Sequence, residues 1–408
     1  MTETTRTAPR TLPPRTPAAA RSVLRLLQRL HVGVLDLQLP DGSQARFGTP
    51  RAGEPQAAFR IADWSVFGAA LRRGDIGFAE AFIDGRWTSP DVVALLKLLL
   101  ANRDALEAVV YGRWWGSLLD RVRHLLNRNS RRGSRRNIHA HYDIGNPFYR
   151  LWLDETMNYS SALFEGDLTR PTADAQRAKI RRALDAVQLR PGQRLLEIGC
   201  GWGALAEQAA GEHAARVVGL TLSDEQLAFA RQRIAQRGLA DGVELRLQDW
   251  RDLPEGRFDA IVSIEMFEAV GRAYWDDYFR MLRDRLAPGG RACIQTIVIR
   301  DDLFERYARS TDFIQQFIFP GGMLPSRATF RAGAERAGLR VEDGFAFGAD
   351  YAETLRRWRA AFLARDAQLR RLGFDTRFVR TWEFYLAYCE AAFATGNTDV
   401  VQFTLVRD

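Results

Sequence analysis

The stretch Arg194-Leu195-Leu196-Glu197-Ile198-Gly199-Cys200-Gly201-Trp202-Gly203 constrains the fold more than any other part of the chain. It reads as a short apolar strand ending in a tight glycine turn, with the amphipathic run Ala204 to Gly211 behind it. Glycine serves there because the backbone must turn sharply and approach a ligand closely, which a Cβ would obstruct. A second strand is expected over Arg216 to Leu220, ending in Thr221-Leu222-Ser223, and a third over Glu244 to Leu247, ending in Gln248-Asp249-Trp250. A fourth, Phe258 to Ile264, ends in Glu265-Met266-Phe267-Glu268. Polar or aromatic residues thus recur at the carboxyl ends of successive strands, where an open α/β sheet binds its ligand. No GKS or GKT follows the turn, which argues against a phosphate-cradling loop. S-adenosylmethionine (SAM) suits this arrangement better than a nicotinamide dinucleotide.

A chain of 408 residues suggests two or three domains of roughly 100–200 residues each. Its 46% hydrophobic and 26% charged residues are ordinary for a globular protein with a large core. Cys200, Cys293 and Cys389 lack metal-ligand spacing and are too few for a disulfide framework, so a reducing cytoplasm is expected. No apolar run reaches the length of about 20 residues that spans a bilayer, and no secretory signal is visible. Residues 1–21 read as a disordered tail rich in Thr, Pro, Ala and Arg.

The net charge is +8, and its distribution matters more than its sum. Between Arg121 and Arg136 stand seven arginines and no acid, among Asn, Ser and Gly. As structure this is a solvated linker, 121–137. As function it is a basic collar for a polyanion, either nucleic acid or an anionic bilayer surface. Upstream, 22–120 reads as a smaller α+β accessory domain. Leu35, Leu37 and Leu39 alternate on one face, Pro40-Asp41-Gly42 turns, and Ala45 to Phe47 returns. Helical patterns follow at Phe67 to Arg72, Val92 to Leu100 and Arg103 to Leu118. Trp114 and Trp115 read as packing residues. Downstream, 138–408 is expected to form the catalytic domain. His139 and His141 are spaced like metal ligands, but no third ligand stands at a suitable distance, so no metal is expected.

His141-Tyr142-Asp143-Ile144-Gly145-Asn146, Met157-Asn158-Tyr159-Ser160 and the Leu196-to-Gly203 turn carry a family resemblance. So do Gly219-Leu220-Thr221-Leu222-Ser223 with Gln226, Gln248-Asp249-Trp250-Arg251 and Met266-Phe267-Glu268-Ala269-Val270-Gly271. Phe317-Ile318-Phe319-Pro320-Gly321-Gly322, Gly348-Ala349-Asp350-Tyr351 and Tyr385-Leu386 with Cys389 complete the series. From about Leu35 onward the chain resembles the cyclopropane-fatty-acyl-phospholipid synthases and the related mycolic acid methyltransferases. The resemblance implies an α/β, Rossmann-like SAM-dependent methyltransferase domain and an N-terminal lipid-presenting domain. It also tilts the basic collar toward membrane rather than nucleic acid.

For SAM, the resemblance implies Tyr159 and Ser160 on the lid side and Gly199, Cys200 and Gly201 beneath the methionine part. Thr221 and Gln226 would sit by the ribose, with Trp250 and Arg251 near the adenine. An isolated cis double bond is a poor nucleophile, so the site must press it against the methyl donor in a dry environment. Methyl transfer leaves a carbocation, from which a base must take a proton. In the family that base is bicarbonate, held by a glutamate, a histidine, a tyrosine and a backbone amide. Glu268, Tyr351 and the Ile297 amide match three of these, and Gln295 stands at the histidine position. Gln donates hydrogen bonds but does not titrate near neutral pH. Ser161 replaces a usual cysteine, and Cys389 matches another cysteine proposed as catalytic. Bicarbonate is therefore weakened as a cofactor by Gln295.

The sequence accordingly reads as an enzyme transferring the SAM methyl carbon to the cis double bond of an unsaturated phospholipid acyl chain. Cyclopropane is the leading product. The rival is a C-methyltransferase giving a methyl- or methylene-branched chain, and the rival of another class is a lipid-binding protein without turnover. No nucleic acid partner is expected. The expected setting is cytoplasmic, at the inner face of an anionic membrane; the oligomeric state, a homodimer included, is open.

Overall fold

The computed structural model describes residues 16–106, 144–254 and 256–408. The basic collar, Trp114, Trp115, the two histidines and most of the N-terminal tail lie outside the described residues. The chain divides into two compact units, one of Met1–Val122 with Phe374–Thr395, the other of Arg123–Gly373 with Gly396–Asp408.

The first unit starts with α1 (Ala18–Leu27) and a four-stranded sheet ordered β2-β1-β3-β4. Its strands are β1 (Val34–Gln38), β2 (Gln44–Gly48), β3 (Gln56–Ile61) and β4 (Trp87–Thr88). β1 and β2 pair antiparallel across the expected Pro40-Asp41-Gly42 turn. α2 (Ser65–Ile83) kinks at Gly74, and α3 (Val92–Ala101) is capped by the Asp91 carboxylate, which accepts from Ala94 N–H. The sequence predicts a single catalytic domain over 138–408, yet the helix Thr376–Ala394 groups with this first unit. The reason is an apolar face that finds its cover there. Phe384 packs its ring against Phe82 and Trp87, at 5.6 and 6.3 Å between centroids. Arg380 Nε donates to the Phe82 carbonyl at 2.6 Å.

The second unit carries a seven-stranded sheet ordered β10-β11-β9-β8-β5-β6-β7. The parallel strands are β5 (Arg194–Ile198), β6 (Arg216–Thr221), β7 (Val243–Leu247), β8 (Phe258–Ile264) and β9 (Leu286–Ile299). β11 (Thr398–Val406) returns antiparallel beside β9, and β10 (Arg340–Ala346) pairs antiparallel with β11. Successive residues of β5 point to opposite cores. Leu195 joins Ile180 of α4 (Thr172–Ala186), Leu205 of α5 (Ala204–His213) and Leu227 of α6 (Asp224–Gln236). Leu196 and Ile198 join Phe279 of α7 (Trp275–Arg285) and Phe330 of α8 (Arg327–Arg336). A strand buried on both faces is apolar at most positions, which is why Leu195, Leu196 and Ile198 do not alternate with exposed residues; Glu197 is the buried exception. The resulting helix–sheet–helix stack is Rossmann-like, with α9 (Gly348–Leu363) packed on β11.

Candidate active site

The sheet order reverses between β5 and β8, so the ends of these strands form the switch point of the fold. Gly199, Gly201 and Gly203 all hold positive φ there, at +85°, +50° and +83°. Each is occupied for a different reason. A Cβ at Gly199 would lie 3.0 Å from Met266 Cγ, and one at Gly203 would lie 2.9 Å from Ala230 Cβ. At Gly201 a Cβ would meet nothing within 4 Å, so that side of the turn is open. The Gly199 and Cys200 N–H groups both donate to the Leu220 carbonyl, at 3.0 and 2.7 Å. These two residues therefore offer close approach rather than free donors. Cys200 turns its thiol into the core, where burial raises its pKa well above the ordinary value.

The remaining expected cofactor residues stand at or after the ends of β6 and β7 or in the segment before α4. Thr221 Oγ1 donates to Gln226 Oε1 at 3.0 Å at the end of β6, and both side chains are buried. Ser223 caps α6 by accepting from Gln226 N–H. Trp250 packs in the core with its ring edge-on to Tyr278 at 5.3 Å, while Arg251 forms a two-pronged ion pair with Asp249. Tyr159 sits among Tyr149, Trp152 and Trp358, each 5.5 Å away between ring centroids. Ser160 is buried, and its Oγ accepts from Lys179 Nζ at 2.6 Å. An open glycine turn flanked by a buried hydroxyl–amide pair and an aromatic wall fits a zwitterionic nucleoside ligand. When bound, SAM supplies an electrophilic methyl carbon on a sulfonium.

The residues expected to hold a small anion do not converge on one point. Ile297 N–H donates to Glu268 Oε1 at 2.5 Å. Tyr351 Oη, from α9, instead donates to Glu265 Oε2 at 2.6 Å, and Gln295 Nε2, from β9, donates to Glu265 Oε1 at 2.7 Å. The Ser161 N–H adds a third bond to Glu265 Oε1 at 2.9 Å. Gln402 of β11 fixes the Gln295 amide by donating to its Oε1 at 3.0 Å, and Arg182 holds Gln402 in turn at 2.7 Å. Cys389 lies on the helix Thr376–Ala394 of the first unit. The hydrogen-bonded cluster is formed by the second unit alone.

The electrostatics distinguish the two glutamates. Burial pushes the Glu268 carboxyl up to about 8, and the neighbouring Glu265 charge adds to it. Its Oε2 is shielded from solvent with no hydrogen-bond partner. Burial raises Glu265 as well, opposed by Tyr351, Ser161, the Lys179 charge and Gln295. Lys179 is fully buried, which lowers its pKa to about 8 against the pull of Glu265, Asp154 and Glu197. Glu197 is raised to about 8 by its own burial at the end of β5. Burial raises both carboxyls, but three donors and the Lys179 charge oppose the rise at Glu265, whereas Glu268 Oε2 has no donor to offset its burial.

Sequence reasoning marks Glu265 as a strand-end residue without a role, and it misses Lys179 and Gln402 altogether. The available signal is a carboxylate directly following the apolar run Phe258 to Ile264.

Fold and site together define a SAM-dependent methyltransferase. The family described as mycolic acid cyclopropane synthetase matches residues 129–403, and the chain belongs to it. Tuberculostearic acid methyltransferase of Mycobacterium tuberculosis is 40% identical over 406 residues, covering 97% of this chain and 94% of that one. Cyclopropane-fatty-acyl-phospholipid synthase of Escherichia coli is 33% identical over 368 residues, covering 89% and 91%. The crystal structure of a mycolic acid cyclopropane synthase complexed with SAH and CTAB superimposes with a TM-score of 0.63 at 36% identity. It covers 67% of this chain and 98% of that one. Among the described residues, no helix is long and apolar enough to cross a membrane, and no cluster of metal-ligating side chains occurs.

Proposed function

We propose that this methyltransferase moves the methyl carbon of SAM onto the cis double bond of an unsaturated phospholipid acyl chain. A methyl- or methylene-branched chain stands ahead of a cyclopropane as the product. The observation that carries this order is the division of the anion cage: Tyr351 and Gln295 serve Glu265, whereas the Ile297 amide serves Glu268. The proton-accepting arrangement therefore differs from the bicarbonate cage implied for ring-forming relatives. The full-length likeness to a tuberculostearic acid methyltransferase supports the same order. Ring closure is the second reading, favoured by the E. coli relative's name and by the presence of Glu268.

The chemistry balances either way. The C–S bond breaks as a C–C bond forms, and the adjacent alkene carbon becomes cationic. Loss of a proton from the new methyl group closes a ring. A hydride shift before that loss gives an exocyclic methylene instead. Tyr159, Ser160, Gly199, Cys200, Gly201, Thr221, Gln226, Trp250 and Arg251 are proposed to hold SAM. Glu268, Tyr351, Gln295 and Ile297 are proposed to line the reacting end. Cys389, which matches a family cysteine proposed as catalytic, is proposed as a further candidate for the reaction. The N-terminal unit is proposed to present lipid at a membrane surface.

Lipids extracted from cells expressing the protein, analysed by gas chromatography and mass spectrometry, test this. A chain heavier by one methylene that retains a double bond is the expected result. The same mass gain with the double bond lost would establish cyclopropane and overturn the branched-chain reading. No SAM-dependent mass gain at all would overturn the reaction.

A further inference from the structure

We infer that Glu265 is this chain's own built-in proton acceptor, its carboxylate filling the donor cage that would otherwise hold bicarbonate. The inference rests on the methyl-transfer reading above and deepens it. Four observations on the geometry carry it.

The first is the count of donors. The Tyr351 hydroxyl, the Gln295 amide and the Ser161 N–H come from three separate stretches of chain and all end on one carboxylate. An anion entering this cage would have to displace a charged group that already satisfies every one of these bonds. The site does not fit bicarbonate.

The second is the layer behind the cage. Gln295 presents its NH2 to Glu265 because its carbonyl oxygen is taken by Gln402, which Arg182 and the Lys179 carbonyl fix in turn. A Gln that only filled space would need no such orientation. Here the amide is locked as a donor toward a carboxylate.

The third is backbone strain. Glu265 holds φ +49°, in the left-handed region that glycine enters freely and other residues enter at a cost. Glycine would relieve that strain at once. A glutamate there runs against local conformational preference, which is expected where the side chain serves the site.

The fourth is charge placement. Lys179 is the buried cation nearest in effect, and its charge favours the ionised form of Glu265. Burial raises the neighbouring Glu268 carboxyl to about 8, and the Glu265 charge adds to that rise, so the two acids are not equivalent. Glu265 Oε1 accepts two hydrogen bonds and Oε2 accepts one, so Oε2 keeps a free lone pair. A carbocation's neighbouring C–H is so acidic that a weak base suffices, and position matters more than basicity. The acceptor takes one proton, its carboxylate becomes neutral, and the electron pair of that C–H bond closes the ring or forms the methylene.

The test combines binding with turnover. Binding of 13C-labelled bicarbonate is followed by NMR with SAH present, in wild type and Glu265→Gly. The wild type should bind none, and Glu265→Gly, whose cage is emptied, should bind it. Adding Tyr351→Phe to Glu265→Gly should weaken that binding. Turnover is then measured on vesicles of a monounsaturated phospholipid in buffer stripped of CO2. The wild type should run at its full rate. Glu265→Gln should lose at least about a hundredfold in rate while SAH affinity, read by calorimetry, is unchanged. Glu265→Gly should regain rate on adding bicarbonate. Bicarbonate dependence of the wild type, its binding to the wild type, or near-full turnover by Glu265→Gln would each overturn the inference. If the wild type methylates no unsaturated lipid, the reaction proposed above fails, while the NMR result still decides whether Glu265 fills the anion cage.

Discussion

Glu265 and Glu268 stand three residues apart after one strand, and burial raises both carboxyls while their hydrogen-bond partners differ. Three hydrogen-bond donors serve Glu265, whereas Oε2 of Glu268 has none. The difference has a consequence for stability. The Glu268 carboxyl rises from an ordinary 4.5 to about 8 on folding. Below about pH 4.5 both folded and unfolded chains hold the proton, and the contribution is fully present. As pH climbs toward 8 the unfolded chain releases it first, so stability falls across that window. Glu197 slopes the same way, and Lys179, lowered to about 8 from 10.5, slopes oppositely at higher pH. Glu268→Gln removes only the first of these. Its urea midpoint relative to wild type should change little near pH 5 and rise by the equivalent of about 1–3 kcal/mol near pH 8.5. A difference that stays flat with pH would mean that Glu268 is already ionised in the folded protein.

At the scale of the element, the glycine turn after β5 separates a structural demand from a ligand demand within five residues. Gly203→Ala puts a Cβ 2.9 Å from Ala230 Cβ at φ +83° and should cost about 1–3 kcal/mol in thermal or urea unfolding. Gly201→Ala meets no atom within 4 Å, so its cost should be confined to the left-handed strain of about 1 kcal/mol. Its effect belongs on SAM instead, and calorimetry should show affinity reduced by more than tenfold. Unchanged SAM affinity in Gly201→Ala would move the methionine part elsewhere. The turn and strands β5 to β8 were legible in the sequence because each is a short run rich in apolar residues that closes on a polar end. The pairing of Glu265 was not. Its partners Gln295, Tyr351 and Ser161 stand 30, 86 and 104 residues away. No local pattern encodes contacts made only once β8, β9 and α9 have packed.

For the whole molecule, the order of the units was legible and their membership was not. A composition break marks the arginine-rich linker, but an amphipathic helix such as Thr376–Ala394 shows only that it has an apolar face, not which unit covers it. Net charge is a property at this same scale, and it bears on where the enzyme meets its substrate. The phospholipid acyl chain proposed as substrate would have to leave a bilayer to reach a site at the strand ends, so residence at the membrane surface would raise the encounter rate. The run from Arg121 to Arg136 lies outside the described residues, yet its seven positive charges without an acid are plain in the sequence. Each arginine near an anionic surface is worth about 1 kcal/mol at physiological ionic strength. Replacing Arg128, Arg131, Arg132 and Arg135 by Gln should therefore lower partitioning onto phosphatidylglycerol-containing vesicles by at least about tenfold in sedimentation. The residual binding should depend less on salt, since fewer screened contacts remain. SAM affinity should hold, because none of the four is proposed to touch the cofactor. Undiminished vesicle binding, or wild-type protein captured from vesicles by a single-stranded oligonucleotide at equal charge concentration, would reject the membrane role of this segment.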